Sequence, residues 1–276
     1  MSLWAALIMG LVQGLTEFLP VSSSAHLRIF GQILPGCADP GAAFTAIIQI
    51  GTELAVLLYF RRDVVRIVRG WWHAVARREP NPDGAEGWLI IFGSIPIVVL
   101  GLLFQDDIET HLRNMYITGG MLVGFALIMG WFDQHARQVK PLEKLTLKDG
   151  LIYGCAQALA LIPGVSRSGG TITAGLAMGY TREAAARYSF LLAMPAVFGS
   201  GLFELAKALG GQEASFPGWG PTIVAGIVAF VVGYFVIIAF LKIVSTYSFR
   251  PFIAYRVGAG LLVIVLLLCG VFTPMG

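Results

Sequence analysis

The chain has 276 residues, of which 57% are hydrophobic and only 13% are charged, and its mean hydropathy is +0.77. Soluble domains typically carry about a quarter charged residues. This composition therefore excludes an ordinary soluble enzyme and favours a protein embedded in a membrane bilayer. The net charge is only +3, and no nucleic acid is expected among the partners.

Six apolar stretches of 16 to 20 residues are long enough to cross a bilayer, because a hydrocarbon core of about 30 Å requires about 20 helical residues. In lipid these stretches must be helices, since every backbone polar group there needs a partner within its own segment. The predicted spans are residues 42–60, 88–104, 115–132, 189–205, 222–241 and 257–272.

Two further apolar stretches, residues 3–34 and 147–178, are interrupted near the middle. The first contains Pro20 followed by three serines, and the second contains Pro163 followed by the polar run 166–170. Broken helices are tolerated at membrane depth only where protein or a water-filled cavity surrounds them. We therefore predict an all-α polytopic membrane protein with six transmembrane helices and two re-entrant helix–loop–helix hairpins.

Basic residues are concentrated on one side of the predicted spans. Four connections on that side hold 15 of the 19 lysines and arginines, whereas the connections on the other side hold three. Cytoplasmic loops carry an excess of lysine and arginine, so this bias places both termini outside the cytoplasm. The four basic connections are residues 61–87, 133–149, 180–188 and 242–256.

The two interrupted stretches also resemble each other. Residues 13–24 read QGLTEFLPVSSS and residues 157–168 read QALALIPGVSRS, so both contain a glutamine, a proline and a Val-Ser-x-Ser run. Three spans follow each stretch, and because three is odd the second copy must enter from the opposite face. This arrangement predicts an inverted-topology repeat within one membrane domain. The first repeat is residues 1–132, the second is 147–276, and the cytoplasmic linker is 133–146.

Glu17 and Glu53 lie inside apolar segments, where an ionisable side chain is costly and is a functional candidate by default. Gln13 precedes Glu17 by four residues, so the two side chains share one face of a helix. For Glu53, a protonated carboxyl group hydrogen-bonded to a neighbouring helix is an equally good interpretation.

Ser22, Ser23 and His26 follow Pro20 in the first interruption. If a helix begins at Ser24, His26 lies over the turn that holds Ser23. A serine beside a histidine can be an activated nucleophile with its base. The same serines can instead cap a helix whose backbone N–H groups bind anions.

The second interruption is the stronger anion-binding signature, because Arg167 stands there among hydroxyls and glycines. A helix is expected to restart near Gly170 and Thr171. The planar guanidinium group matches phosphate oxygens, and a buried arginine needs an anion, which is either a bound phosphate or Glu17. The further phosphate-binding candidates are Ser22, Ser166, Ser168, Gly169 and Thr171.

Together the two interruptions predict an anion site where the two loops meet, and the surrounding bilayer suggests that the anion belongs to a lipid. Phosphoryl transfer needs positioning, charge stabilisation, a nucleophile and often a divalent cation. Glu17 with Gln13 could supply oxygen ligands to Mg²⁺ or to another divalent cation such as Ca²⁺.

At these residues the sequence resembles the undecaprenyl-diphosphatases of the bacitracin-resistance type, over essentially the whole chain. The two long signatures are QGLTEFLPVSSSAH at residues 13–26 and PGVSRSGGT at residues 163–171. The blocks QIGTELAV at 49–56 and YSFLLAMP at 188–195 also look like those of the family. The resemblance implies hydrolysis of undecaprenyl diphosphate to undecaprenyl phosphate and inorganic phosphate, which recycles the lipid carrier of peptidoglycan synthesis and confers bacitracin resistance.

The resemblance also implies roles for individual residues. The two-glutamate motif of the family falls on Gln13 and Glu17, and the glutamine here removes one charge from a metal site. The spacing does not decide whether Ser23 or His26 is the nucleophile. Ser23 is the expected one, with His26 as general acid and base, and a phosphoserine intermediate and direct attack by water both stay open. The phosphate-binding arginine falls on Arg167, and the supporting hydroxyls fall on Ser166 and Thr171.

A transporter or flippase for a polyprenyl phosphate is the main alternative, because inverted repeats are common in transporters. A protein with both activities would use the same residues. The expected location is the bacterial plasma membrane, with the active site open to the extracytoplasmic side, and a second copy of the chain is a candidate partner.

Overall fold

The computed structural model describes residues 1–35, 41–211 and 216–275. Within these residues the chain is helical and contains no strand. Short turns of other helix types occupy Leu142–Lys144, Leu159–Leu161 and Ile108–Leu112. The α-helices are α1 (Leu3–Thr16), α2 (Ser23–Ile33), α3 (Gly41–Tyr59), α4 (Arg61–Ala76), α5 (Pro82–Leu103), α6 (Gln105–Asp107), α7 (Met115–His135), α8 (Leu147–Ala158), α9 (Arg167–Ala177), α10 (Arg182–Leu209), α11 (Trp219–Val244) and α12 (Arg250–Leu268).

All six predicted spans are confirmed, as α3, α5, α7, α10, α11 and α12, by length and apolar composition. Three of these helices, α5, α10 and α12, begin well before the apolar run, and in α5 and α10 a polar side chain caps an earlier turn. The side chain of Asn81 accepts a hydrogen bond from the Gly84 N–H at the start of α5. Thr181 caps α10 in the same way through the Ala184 N–H. The protein is therefore an all-α polytopic membrane protein.

The two interruptions are breaks between short helices, α1 and α2 in the first copy and α8 and α9 in the second. Helix α9 begins at Arg167, not near Gly170 as the sequence suggested. The reason is local, since the Ser166 hydroxyl accepts a hydrogen bond from the Gly169 N–H and so caps the helix earlier. The depth at which the two hairpins lie in a bilayer stays a prediction.

Each break ends in a serine with a left-handed backbone. Ser22 has φ of 75° and Ser166 has φ of 74°, a region that costs a residue other than glycine about 1–2 kcal/mol. The two serines occupy the same position of the two aligned sequences. The same strained turn therefore starts α2 and α9 and fixes the direction of the residue that follows.

Helices of the two copies pair with each other in a pattern that has two-fold pseudosymmetry. Helix α1 packs on α11 and α8 packs on α5, so the first helix of each copy contacts the second span of the other copy. Helix α3 contacts α10 and α7 contacts α12, so equivalent spans also pair. This pattern supports the inverted repeat, whereas its division into residues 1–132, 133–146 and 147–276 stays a prediction.

Equivalent glycines make the first two contacts close. A β-carbon on Gly10 would lie 2.5 Å from the carbonyl oxygen of Ala225, and one on Gly154 would lie 2.4 Å from that of Gly93. Small residues allow helix backbones in a bilayer to approach in this way. Gly10 and Gly154 occupy the same position in the two copies, so the pseudosymmetry extends to packing detail.

The prediction that Arg256 lies in a cytoplasmic connection is wrong. The predicted connection 242–256 is mostly helical, because α11 continues to Val244 and α12 begins at Arg250. Arg256 consequently lies inside the protein with none of its surface exposed. Arg28, which was counted on the opposite side, is also buried. The remaining basic residues keep their strong bias toward one end of the bundle.

Candidate active site

The two breaks meet inside the bundle. An oxygen of Glu17, Oε1, accepts a hydrogen bond of 2.6 Å from Nη2 of Arg167. The Ser168 hydroxyl donates to the carbonyl oxygen of Leu19 at 3.2 Å. The loop after α1 and the start of α9 are thus joined by a charged pair and by a backbone contact.

Glu17 is the centre of this site. Its second oxygen, Oε2, accepts hydrogen bonds from the Ser23 hydroxyl at 2.6 Å and from the Gln13 amide at 2.7 Å. The side chain is only 4% exposed, so its partners are fixed by the protein and not by solvent. Ser23 and Arg167 occupy equivalent positions of the two copies. Each donates a hydrogen bond to a different oxygen of the Glu17 carboxylate.

Glu53 lies beside this centre and is fully buried. Its Oε2 is 3.8 Å from Nη2 of Arg167, yet neither carboxylate oxygen accepts a hydrogen bond within the described part of the chain. The Oε1 atom of Gln13 is also buried without a partner. A buried polar group left unsatisfied costs roughly 1–3 kcal/mol. These three oxygens are therefore buried polar atoms without a hydrogen-bond partner among the described residues.

One nitrogen of the Arg167 guanidinium group has no hydrogen-bond partner in the described structure. Its Nη1 is buried and makes no hydrogen bond to any residue that the structure describes. The side chain is 15% exposed and lines the central cavity. Nη1 is thus a donor without a partner in the described structure, whereas Nη2 is held by Glu17.

The other phosphate-binding candidates divide into two groups. Ser22 and Ser166 line the cavity. Ser168 faces Leu19, and the Thr171 hydroxyl is hydrogen-bonded to Ser189 and to the carbonyl oxygen of Arg167. The latter two hydroxyls therefore hold α9 in place and do not line the cavity.

His26 does not make the expected contact with Ser23. Its Nδ1 is 2.7 Å from the carbonyl oxygen of Ser22, and its Nε2 is 2.8 Å from the hydroxyl of Tyr255. The ring stacks on Tyr255 and is 4% exposed. Because both ring nitrogens are engaged elsewhere, the partner of Ser23 is Glu17. Tyr255 had no signal in the sequence beyond being an aromatic residue just before the predicted span 257–272.

Arg256 is a site residue that the sequence argument missed. Its guanidinium group donates to the carbonyl oxygens of Pro20 at 2.8 Å, Gly164 at 2.8 Å and Val165 at 3.0 Å. One side chain thus joins the two breaks from behind. A β-carbon on Gly169 would lie 2.8 Å from Nη1 of Arg256, so the glycine makes room for this clamp. The available signal was weak: Arg256 directly precedes the predicted span 257–272 and follows the largely apolar residues 251–255.

A cavity of about 550 Å³ adjoins the centre. Its polar residues include Glu17, Ser23 and Arg167, and much of the remaining wall is apolar. The wall comes from the start of α3 and the ends of α5 and α10, which lie at the same end of the bundle. The apolar residues of α5 and α10 in this wall are Ile97, Val98, Leu102, Ala196, Val197 and Phe203.

Comparison with known families identifies the chain. Residues 6–262 match the family model described as bacitracin resistance protein BacA. The chain belongs to this family. The match covers both breaks and all six spans except the last few residues of α12, so the resemblance seen in the sequence is confirmed.

Curated relatives are similar over nearly their whole length. An undecaprenyl-diphosphatase of Arthrobacter sp. (strain FB24) is 60% identical over 265 residues, which is 95% of this chain and 93% of the relative. One from Micrococcus luteus is 59% identical over 271 residues, covering 97% and 98% of the two chains. Undecaprenyl-diphosphatase 2 of Agrobacterium fabrum is 58% identical over 270 residues, covering 97% and 96%.

Proposed function

We propose that this protein hydrolyses undecaprenyl diphosphate to undecaprenyl phosphate and inorganic phosphate. The names of the relatives and of the family support this reaction. The observation that carries it is the carboxylate of Glu17 held between the Ser23 hydroxyl and the Arg167 guanidinium group beside a cavity. The reaction recycles the lipid carrier of peptidoglycan synthesis and so confers bacitracin resistance.

The cavity suits a substrate with one charged and one apolar part. Arg167 and Ser166 are among its polar lining residues, while residues of α5 and α10 give it a partly apolar wall. A diphosphate head would lie against the arginine and the polyprenyl chain against the apolar wall. Bidentate hydrogen bonding by arginine is well matched to the oxygens of a phosphoryl group.

Glu17 is the proton acceptor in this proposal. The Ser23 hydroxyl already donates to its Oε2 at 2.6 Å, which is within the reach required of a general base. In one route the Ser23 oxygen attacks the terminal phosphorus, its proton moves to Glu17, and the bond to the bridging oxygen breaks to release undecaprenyl phosphate. Water then hydrolyses the phosphoserine and releases inorganic phosphate.

A second route uses water as the direct nucleophile, with Ser23 and Glu17 orienting it and accepting its proton. The bonds broken and the products are the same. Attack by His26 is disfavoured, because both of its ring nitrogens are engaged and the residue does not line the cavity. His26 instead supports the turn that presents Ser23, through the carbonyl oxygen of Ser22.

A divalent cation fits the unsatisfied oxygens at the site. Glu53 and Oε1 of Gln13 provide buried oxygen atoms without hydrogen bonds in the described structure, and hard cations such as Mg²⁺ or Ca²⁺ prefer oxygen ligands. Both oxygens of Glu17 are already occupied, so we assign any metal to Glu53 and Gln13. Among the described residues no group of three or more acidic, histidine or cysteine side chains is arranged to hold a metal ion, so substrate oxygens would complete the coordination.

We also propose a location in the bacterial plasma membrane with both termini outside the cytoplasm. The backbone of Met115 donates to the carbonyl oxygen of Pro274 at 2.8 Å, so the C-terminus lies at the end of the bundle where the cavity is lined. The basic connections lie at the other end. By the bias of basic residues toward the cytoplasm, the cavity opens to the extracytoplasmic side. A second copy of the chain stays a predicted partner.

Phosphate release by the reconstituted full chain tests the reaction directly. Undecaprenyl diphosphate should yield inorganic phosphate, and a chelator should lower the rate if Glu53 and Gln13 hold a metal. A flippase is the second candidate, because the two-fold exchange of helix contacts is the pattern of inverted-repeat transporters. Transfer of a labelled polyprenyl phosphate between leaflets without phosphate release would favour the flippase and exclude the hydrolase.

A further inference from the structure

Helix α4 lies outside the bundle of spans and presents three different faces. It begins at Arg61, directly after the end of α3, and packs along the first turns of α5. Its packing face carries Ile67, Gly70 and Trp71. A β-carbon on Gly70 would lie 2.4 Å from Cβ of Asp83, so this contact is close. This first face of α4 therefore packs against the rest of the described chain.

The second face is apolar and exposed. Val65, Val68, Trp72 and Val75 are 45%, 56%, 61% and 45% exposed. Their spacing of three and four residues places them in one stripe on a helix. A continuous apolar stripe of this kind on a soluble surface would mark an interaction site.

The third face is basic and adjoins the apolar stripe. Arg62, Arg66, Arg69 and His73 follow the same helical spacing and line a wide groove on that side of α4. Arg66 is paired with Asp83 and Glu86.

Two arginines of this basic face retain uncompensated charge. Arg62 and Arg69 are exposed and form no ion pair with any described residue. Glu79 also lines the groove, so charges of both signs are present there. The two arginines outnumber this carboxylate, and the groove should therefore attract anions.

We propose that α4 lies in the membrane interface and binds the phosphate groups of anionic phospholipids. An apolar stripe beside an arginine-rich face is the arrangement of helices that lie in the plane of a bilayer surface. The short connection to α3 places α4 where that span leaves the hydrocarbon. A free phosphate would not contact the apolar stripe, whereas a phospholipid would contact both faces. The observations therefore favour a lipid headgroup.

This surface is distant from the proposed active site. Arg187 near the start of α10 donates to Asp63 of α4 at 3.2 Å, whereas the cavity is lined by residues 196–204 at the other half of α10. Lipid binding by α4 can therefore be tested without disturbing the residues proposed for catalysis.

Quenching of Trp72 by brominated lipids measures the contact. The full chain would be reconstituted in vesicles containing dibrominated phosphatidylglycerol or dibrominated phosphatidylcholine, and the Trp72 signal would be taken as the difference from a Trp72→Phe variant. We expect half-maximal quenching at a lower mole fraction of the phosphatidylglycerol. The paired change Arg62→Gln/Arg69→Gln should weaken the preference for phosphatidylglycerol over phosphatidylcholine by on the order of five-fold for each arginine, since each basic residue contributes measurably near an anionic surface.

A matched control is the pair Lys144→Gln/Lys148→Gln, which removes two exposed charges at the same end of the protein but away from α4. This control should leave the quenching of Trp72 unchanged. Equal quenching by the two lipids in the unmodified chain, absence of quenching by either lipid, or an equal effect of the control pair would overturn the proposal.

Discussion

The two breaks share a backbone but differ in chemistry. Both start their second helix with a serine in the left-handed region, and both pack a glycine of the preceding helix against a neighbouring span. The following residue is Ser23 in one and Arg167 in the other. A common turn thus presents a hydroxyl from one side and a guanidinium group from the other, and Glu17 joins them.

The glutamines that precede the two breaks sharpen this contrast. Gln13 donates to Glu17 at 2.7 Å, whereas both polar atoms of Gln157 are buried without any hydrogen bond to described residues. The position equivalent to Glu17 in the second copy is Leu161. The first break therefore supplies the acid of the site, Glu17, and the second break supplies the cation, Arg167.

The largest expected effect comes from removing the cation. Arg167→Ala should abolish phosphate release, because it removes both a cation that lines the cavity and the partner of Glu17. Arg167→Lys should also lose on the order of 10²-fold or more in kcat, since a point charge does not replace the bidentate fork. Steady-state phosphate release from reconstituted protein measures both. Near-normal turnover with alanine would remove Arg167 from the mechanism.

The next effect distinguishes Glu17 from His26 as the partner of Ser23. Ser23→Ala should lower kcat by roughly 10²–10⁴-fold, the range expected for loss of a positioned proton-transfer group or nucleophile. His26→Ala should have a much smaller effect, because the ring contacts only the turn and Tyr255. The comparison is made on kcat under saturating substrate. A dead histidine variant beside an active serine variant would move the nucleophile to His26.

Loss of the clamp behind the two breaks should have a moderate effect. Arg256→Gln leaves up to three buried carbonyl oxygens unsatisfied, at about 1–3 kcal/mol each, so we expect a lower unfolding temperature in detergent and a lower kcat. The control is Arg250→Gln, which removes an exposed charge from the start of the same helix. If folded Arg256→Gln protein keeps the normal kcat, the clamp does not position the site.

The smallest effect on activity and stability should come from replacing Gln157, whose side chain has no hydrogen-bond partner among the described residues. Gln157→Met replaces buried polar atoms that have no partner, and such a change is often neutral or stabilising. Gln13→Met, its counterpart in the first copy, should lower activity because it removes a donor to Glu17 and a candidate metal ligand. Thermal unfolding and phosphate release of the two variants test this directly. Equal losses of activity would contradict the division of roles.

Much of the fold was predictable from hydrophobicity. Six spans are long apolar runs, and the two interruptions are marked by Pro20 and Pro163. The helix starts were not predictable from apolar runs, because caps such as Thr181 extend α10 into polar sequence. The entry of α9 at Arg167 was missed for the same reason, since Ser166 supplies the cap.

Most residues of the site could be predicted from the sequence, but the contacts between them could not. Helical spacing suggested that His26 contacts Ser23, but the left-handed turn at Ser22 directs the imidazole to a backbone carbonyl. Arg256 was assigned to a loop because counting basic residues cannot distinguish a buried arginine near a helix start from an exposed one. Its partners are carbonyl oxygens, which no sequence pattern reveals.

A double-mutant comparison tests most directly whether the two breaks form one catalytic site. Phosphate release from undecaprenyl diphosphate would be measured for Ser23→Ala, Arg167→Lys and the combined variant. Residues that act as a unit show strongly non-additive losses, so the combined variant should be scarcely slower than the worse single variant. Losses that simply multiply would show that Ser23 and Arg167 act independently and would contradict a site centred on Glu17.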